Sequence, residues 1–191
     1  MEKAEQARRL ADFFLEAGVL KHTFRNGWRL VGIGRPETVA EHSFRAAIIA
    51  FLIAKAEGAN AQKACIMALF HDVPEARIGD LDRIQAAYLD KAAMEKKAVA
   101  DQAALLGDGK WYPELHSELD ANASAEAVIA HDADLLELGL TALEYKGAGG
   151  FDTEEWAKSA HSGLRTAAAK MILEHVARNG VDEWWQPLKK L

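Results

Sequence analysis

Ala68-Leu69-Phe70-His71-Asp72-Val73-Pro74-Glu75-Ala76-Arg77-Ile78-Gly79-Asp80-Leu81 is the stretch on which the fold of this chain turns. It begins as the end of an apolar run, Cys65-Ile66-Met67-Ala68-Leu69-Phe70, and meets a His-Asp pair just before a proline. A helix buried on most sides should not end on two polar groups that are costly to desolvate unless something satisfies them. A divalent metal would do so, because neutral imidazole and carboxylate both ligate borderline and hard divalent ions. Glu75 follows His71 by four residues, so the two share one face if the helical turn persists. A carboxylate there can position an attacking water or take its proton.

Working outward, the same pattern of polar groups beside apolar core recurs twice. Thr38 with Glu41 three positions on predicts a capping box. The helix it opens should run through Phe44, Ile48, Phe51 and Leu52 to Gly58, with His42 at its entrance. Asn60 caps a following helix over 61–71. Ser124 opens another over 125–145, which carries Asp132-Ala133-Asp134 beside Leu135 and Leu136. Ligands from three helices can converge on one ion in a bundle core.

The rest of the chain is helical in period as well. Residues 2–19 predict a helix with Leu10, Phe13, Phe14 and Ala17 on one face. Residues 21–37 read as a loop rich in Gly, Arg and aromatics. A long helix is expected over 84–106, a short one from Pro113, and a last long one over 154–178. With no sustained alternation of apolar and polar residues, the fold class is all-α: one helical bundle over residues 1–191.

Half the residues are hydrophobic, enough for a sizeable core. The net charge of −6 offers no basic face for a nucleic acid or an anionic membrane. An anionic substrate would therefore need a local positive site. Cys65 is the only cysteine, which excludes an internal disulfide and a thiolate metal cluster. In its apolar run it reads as a buried, inert thiol. The charged start lacks a signal-peptide core, and no run approaches the roughly 18 apolar residues of a membrane span. A cytoplasmic protein is expected.

The order His, then His-Asp, then Asp resembles the HD-domain superfamily of metal phosphohydrolases. Three stretches resemble its 5′-deoxynucleotidase branch and the related oxetanocin-type proteins: Phe24-Arg25-Asn26-Gly27-Trp28, Arg35-Pro36-Glu37-Thr38-Val39-Ala40-Glu41-His42-Ser43, and the block from Ala68 to Leu81. The likeness extends to Asp134-Leu135-Leu136-Glu137 and Glu144-Tyr145. It covers roughly residues 10 to 147, and the helix and tail over 151–191 add little.

The resemblance implies an HD-domain helical bundle holding one divalent cation through His42, His71, Asp72 and Asp134. Such a donor set suits manganese, iron, cobalt, nickel or zinc, with magnesium less natural. It implies that Glu75 and Asp80 are catalytic and that Asp80 also orients the substrate, alongside the plain alternative that Asp80 caps a helix. Arg25 would contact phosphate, with Arg35 as an alternative, and Trp28 would face the 2′ side of the sugar. Many bacterial relatives have this Arg and Trp adjacent, whereas Asn26-Gly27 separates them here. His131 stands where relatives often carry a lysine. The dipeptide His131-Asp132 competes with the motif but lacks the Glu and Gly-Asp that follow it.

The implied activity is release of phosphate from nucleoside 5′-monophosphates, with a preference for deoxyribose. Alternatives are a phosphodiesterase or alarmone hydrolase of the same superfamily, or a nucleotide sensor without catalysis. Alarmone hydrolases usually carry an acidic pair after the motif, and here Ala76 follows Glu75. All four ligand types are present, which gives no reason to prefer a sensor. A homodimer is expected from the resemblance and from the aromatic pair Trp184-Trp185, aromatics being enriched at interfaces.

Overall fold

Small residues decide how closely the central helices approach. A computed structural model of the protein describes residues 2–107 and 109–190. At its centre α2 (Val39–Glu57), α3 (Ala61–Phe70) and α8 (Ala125–Gly149) pack against one another. The faces they share carry Ala46, Ala50 and Ala54 from α2, Ala64 and Ala68 from α3, and Ala127, Ala130 and Ala133 from α8, all buried. Alanines on facing surfaces let the backbones come close, and Met67, Ile129 and Leu136 fill the remaining space. Gly139 extends this to α10 (Ala167–Asn179): a Cβ there would lie 2.9 Å from a Leu173 methyl carbon.

Local signals set the ends of these helices as expected. Thr38 and Glu41 form the capping box of α2: Glu41 N–H donates to Thr38 Oγ1 at 3.2 Å, and Thr38 N–H donates to Glu41 Oε2 at 2.7 Å. Asn60 and Ser124 accept from Lys63 and Ala127 to cap α3 and α8. α1 (Glu2–Ala17) gives way to a 3-10 turn at Gly18, and a second 3-10 turn, Asn26–Val31, occupies part of the expected loop. Among the described residues the only β pairing is an isolated bridge between Phe24 and Thr38.

Two expected helices need correcting. The helix expected over 84–106 is two: α5 (Arg83–Ala86) and α6 (Lys91–Ala103), separated where Asp90 accepts from Ala93 N–H and starts a new helix. The helix expected over 154–178 is also two, α9 (Glu154–Gly163) and α10, because Leu164 is extended and Thr166 caps α10. Asp132 of α8 stabilises that break by accepting from Arg165 N–H, Thr166 N–H and the Thr166 hydroxyl. On α2, Phe44, Ile48, Phe51 and Leu52 face outward, while its inner face is Val39, His42, Ser43, Ala46, Ala47, Ala50, Ile53 and Ala54. Cys65 is half-buried rather than fully enclosed.

α7 (Trp111–Asp120) closes the bundle beside α3 and α6. Buried Gln102 of α6 donates to the Val73 carbonyl at 3.1 Å and accepts from the Tyr112 hydroxyl at 2.7 Å. Helices α6 and α7 therefore hold the turn that follows His71 and Asp72.

Candidate metal centre and active site

His42 lies in the first turn of α2, His71 caps the C-terminus of α3, Asp72 follows it, and Asp134 lies on α8. Their ligating atoms meet. His42 Nε2 is 3.3 Å from His71 Nε2 and 3.1 Å from Asp134 Oδ1. Asp72 Oδ2 is 3.1 Å from His71 Nε2 and 3.7 Å from His42 Nε2. The far side of each imidazole is tied down: His71 Nδ1 donates to the Ala68 carbonyl at 2.7 Å, and His42 Nδ1 faces the Glu137 carboxylate. Both Nε2 atoms are thereby aimed at the same point, together with two carboxylates.

This donor set fits a divalent cation, two neutral nitrogens and two anionic oxygens being a common ligand chemistry for borderline ions. The charges agree. Burial opposes ionisation of all four groups. Even so, the Asp72 and Asp134 carboxylates hold His71 well above the ordinary histidine value, and Asp134 and Glu137 raise His42. The imidazoles in turn hold Asp72 and Asp134 below the usual carboxylate range. The cluster is built to surround positive charge.

Glu75 stands at the N-terminus of the short α4 (Glu75–Ile78), with its amide donating to the Asp72 carbonyl at 3.0 Å. Only 2% exposed, it has no hydrogen-bond partner for Oε2, and Lys91 Nζ is 3.7 Å from Oε1. Burial, then the Asp72 and Asp80 carboxylates, push its pKa well above the usual range. Gly79, at φ +74°, allows the sharp turn that follows α4. Asp80 then points back to accept from Asn26 N–H, while Asn26 Nδ2 donates to the Asp80 carbonyl at 2.7 Å. Asp80 thus pins the loop that carries Arg25. It is not the helix cap: Asp82 caps α5, accepting from Ile84 and Gln85.

Arg25 Nη1 is 3.2 Å from Asp72 Oδ2, and Nη2 is 3.8 Å from Asp134 Oδ1. It is the cation nearest the ligand cluster. Arg35 makes no ion pair among the described residues. Trp28 is 1% exposed, packed edge-on to Tyr145 and stacked on Trp156, and its Nε1–H donates to Glu37 Oε1 at 3.0 Å. It borders a cavity of about 130 Å³ that it shares with Arg25, Asp80 and Trp156. A larger cavity, about 810 Å³, opens beside His71 and Asp72 and is walled by α6, α7 and exposed His131. Asp132 has the structural role at Thr166 described above, so the second His-Asp dipeptide is not a second site.

Sequence reasoning missed a buried polar group behind the ligands. Glu37, Arg45, Glu137 and Thr141 meet there, and burial, then the Glu137 carboxylate, pushes Glu37 up to about 7. The available signal was a polar stripe, Asp134, Glu137, Thr141 and Glu144, at helical spacing on an otherwise apolar helix. His116 of α7 was also missed. It lines the larger cavity, is 8% exposed, and has no partner for Nε2.

Known proteins resemble this chain in sequence and in fold. The human protein named 5′-deoxynucleotidase HDDC2 is 34% identical over 145 residues, covering 73% of this chain and 70% of its own. A conserved hypothetical protein from Pyrococcus furiosus superposes with a TM-score of 0.75 at 33% identity, covering 88% of this chain and 99% of its own. A predicted metal-dependent phosphohydrolase from Magnetospirillum magnetotacticum gives a TM-score of 0.73 at 25% identity over 95% of both chains. The family model described as HD domain matches residues 17–175, and this chain belongs to the HD-domain family.

Proposed function

We propose that the protein is a metal-dependent phosphatase of nucleoside 5′-monophosphates that prefers 2′-deoxyribose. The observation that carries this reading is the convergence of His42, His71, Asp72 and Asp134 beside a buried, unpartnered Glu75 and the guanidinium of Arg25. The name of the human relative supports the substrate class. His42, His71, Asp72 and Asp134 would hold the divalent cation, which would supply Lewis acidity to the phosphoryl group and lower the pKa of water. Manganese, iron, cobalt, nickel and zinc are the candidates.

The chain's own residues do the rest. Glu75, buried beside Asp72 with one carboxylate oxygen unpartnered, orients the attacking water and takes its proton. Arg25 donates to the non-bridging phosphate oxygens through its planar fork. Asp80 keeps the Arg25 loop in place through Asn26 and orients the ester. The water oxygen bonds to phosphorus as the P–O5′ bond breaks, the proton taken by Glu75 passes to O5′, and the nucleoside leaves as an alcohol with inorganic phosphate as the other product. The Trp28 edge that borders the small cavity is the candidate barrier to a 2′-hydroxyl.

The test is phosphate release from the eight common ribo- and deoxyribonucleoside monophosphates across several divalent metals. The deoxynucleotides should be cleaved faster than their ribo counterparts, and di- and triphosphates poorly. Arg25→Ala should weaken every monophosphate alike, and Trp28→Ala should raise ribonucleotide turnover relative to deoxy. No release from any monophosphate with any metal would overturn the reading.

We also propose a cytoplasmic homodimer. The support comes from the outer face of α2, where Phe44, Ile48, Phe51 and Leu52 form an exposed apolar stripe of the kind that marks interaction sites. The terminal aromatic pair supports it less: Trp184 is exposed, and the Trp185 ring is covered by Lys189 at 4.2 Å. No helix among the described residues is long and apolar enough to cross a membrane.

A further inference from the structure

His42 and His71 are oriented by different means. Behind His71 stands a neutral acceptor, the Ala68 carbonyl of its own helix. Behind His42 stands a carboxylate from another helix, Glu137 of α8, and both side chains are fully buried. That carboxylate is itself fully engaged. Its Oε2 faces His42 Nδ1. Its Oε1 accepts from Arg45 Nε at 2.9 Å and the Thr141 hydroxyl at 3.0 Å, and Arg45 Nη2 stands 2.7 Å from it as an ion pair. Arg45 Nη2 also donates to Thr141 Oγ1, which closes the group.

We propose that Glu137 is a positioning residue for the metal centre. Held by Arg45 and Thr141, it keeps the proton of His42 on Nδ1, leaves the Nε2 lone pair for the cation, and makes that nitrogen a stronger donor. A carboxylate behind a ligating imidazole fixes its tautomer and ring orientation and raises its basicity. With the opposite tautomer, a lone pair on Nδ1 would face the carboxylate between two fully buried side chains. The role rests on reading the four-residue cluster as a metal site.

The group also reaches the substrate loop. Glu37 Oε2 lies 3.4 Å from Thr141 Oγ1, its other oxygen accepts from Trp28 Nε1, and its backbone carbonyl accepts from Arg25 N–H at 3.0 Å. The backing of His42 and the anchoring of the Arg25 loop therefore share Thr141 and Glu37.

The experiment is titration of the metal-free full chain with Co²⁺, followed by visible absorption, for the wild type, Glu137→Gln and Thr141→Val. The folded state is checked by circular dichroism. The wild type should bind one cobalt. Glu137→Gln should bind on the order of 10–100-fold more weakly, with a shifted absorption band. Its turnover should recover toward wild type at saturating cobalt, with the nucleotide KM unchanged. Thr141→Val, which removes one hydroxyl and leaves the carboxylate, should weaken binding a few-fold and decides the question if Glu137→Gln does not fold. Wild-type cobalt affinity in a folded Glu137→Gln or, failing that, in Thr141→Val overturns the role of Glu137. A wild type that binds no cobalt overturns the metal reading itself, and the role with it.

Discussion

The Nε2 atoms of His42 and His71 stand 3.3 Å apart, although the rings come from different helices and are inclined at 57°. Each ring is tied on its Nδ1 side, so neither can turn away. Two imidazole lone pairs at that distance repel unless positive charge lies between them, and the nearby carboxylates of Asp72 and Asp134 add to the demand for it.

The ligand and general-base roles separate in two variants. Asp72→Ala should lose bound metal and activity together. Glu75→Ala should keep its metal and nucleotide binding yet lose on the order of 10²–10⁴-fold in kcat. Metal content by elemental analysis, measured beside steady-state kinetics, checks both. Full metal content in Asp72→Ala removes it from the ligands, and near-normal kcat in Glu75→Ala removes its catalytic role.

His116 should make stability depend on pH. Burial, then the charge of His71, lowers its pKa from 6.5 to about 4, so the unfolded chain takes up the proton first as pH falls. The folded state then loses up to about 1.4 kcal/mol per pH unit from this one group between those values. His116→Phe keeps the edge-to-face contact with Tyr112 and removes the unpartnered nitrogen. In chelator, its advantage in Tm over wild type should grow as pH falls from 7 to 5. A constant difference would show that His116 does not titrate in this way.

The outer face of α2 should hold two copies together. Phe44 is 66% exposed and Ile48 lies one turn on, so glutamates at both positions would put charge into an apolar contact. Light scattering at micromolar concentration should give twice the chain mass for the wild type and the chain mass for Phe44→Glu/Ile48→Glu, with helicity retained. A monomeric wild type refutes the dimer.

Much of the architecture was legible because it is encoded over a few residues. Thr38 with Glu41, Asn60, and Ser124 each cap a helix through contacts no more than three positions away. The breaks at Asp90 and Leu164 were harder. Alanine-rich, charged sequence supports a continuous helix there, and the second break is stabilised by Asp132, 34 residues from Thr166. Which face of α2 turns inward was not legible either. Its large apolar residues look like core, but the space between α2, α3 and α8 is narrow and takes alanines.

The sequence by itself determined the helical class, most helix ends, and the residue types of the candidate site, because caps, periodicity and the His-Asp block act locally. Tertiary structure decided which side chains share a space. Glu137 lies 95 residues from His42 in the chain, and Asn26 lies 54 residues from Asp80. A polar stripe on a helix shows that one face is special, but what it meets depends on which helices pack together. That choice is made by burial of apolar surface summed over the whole bundle, not by any segment of it.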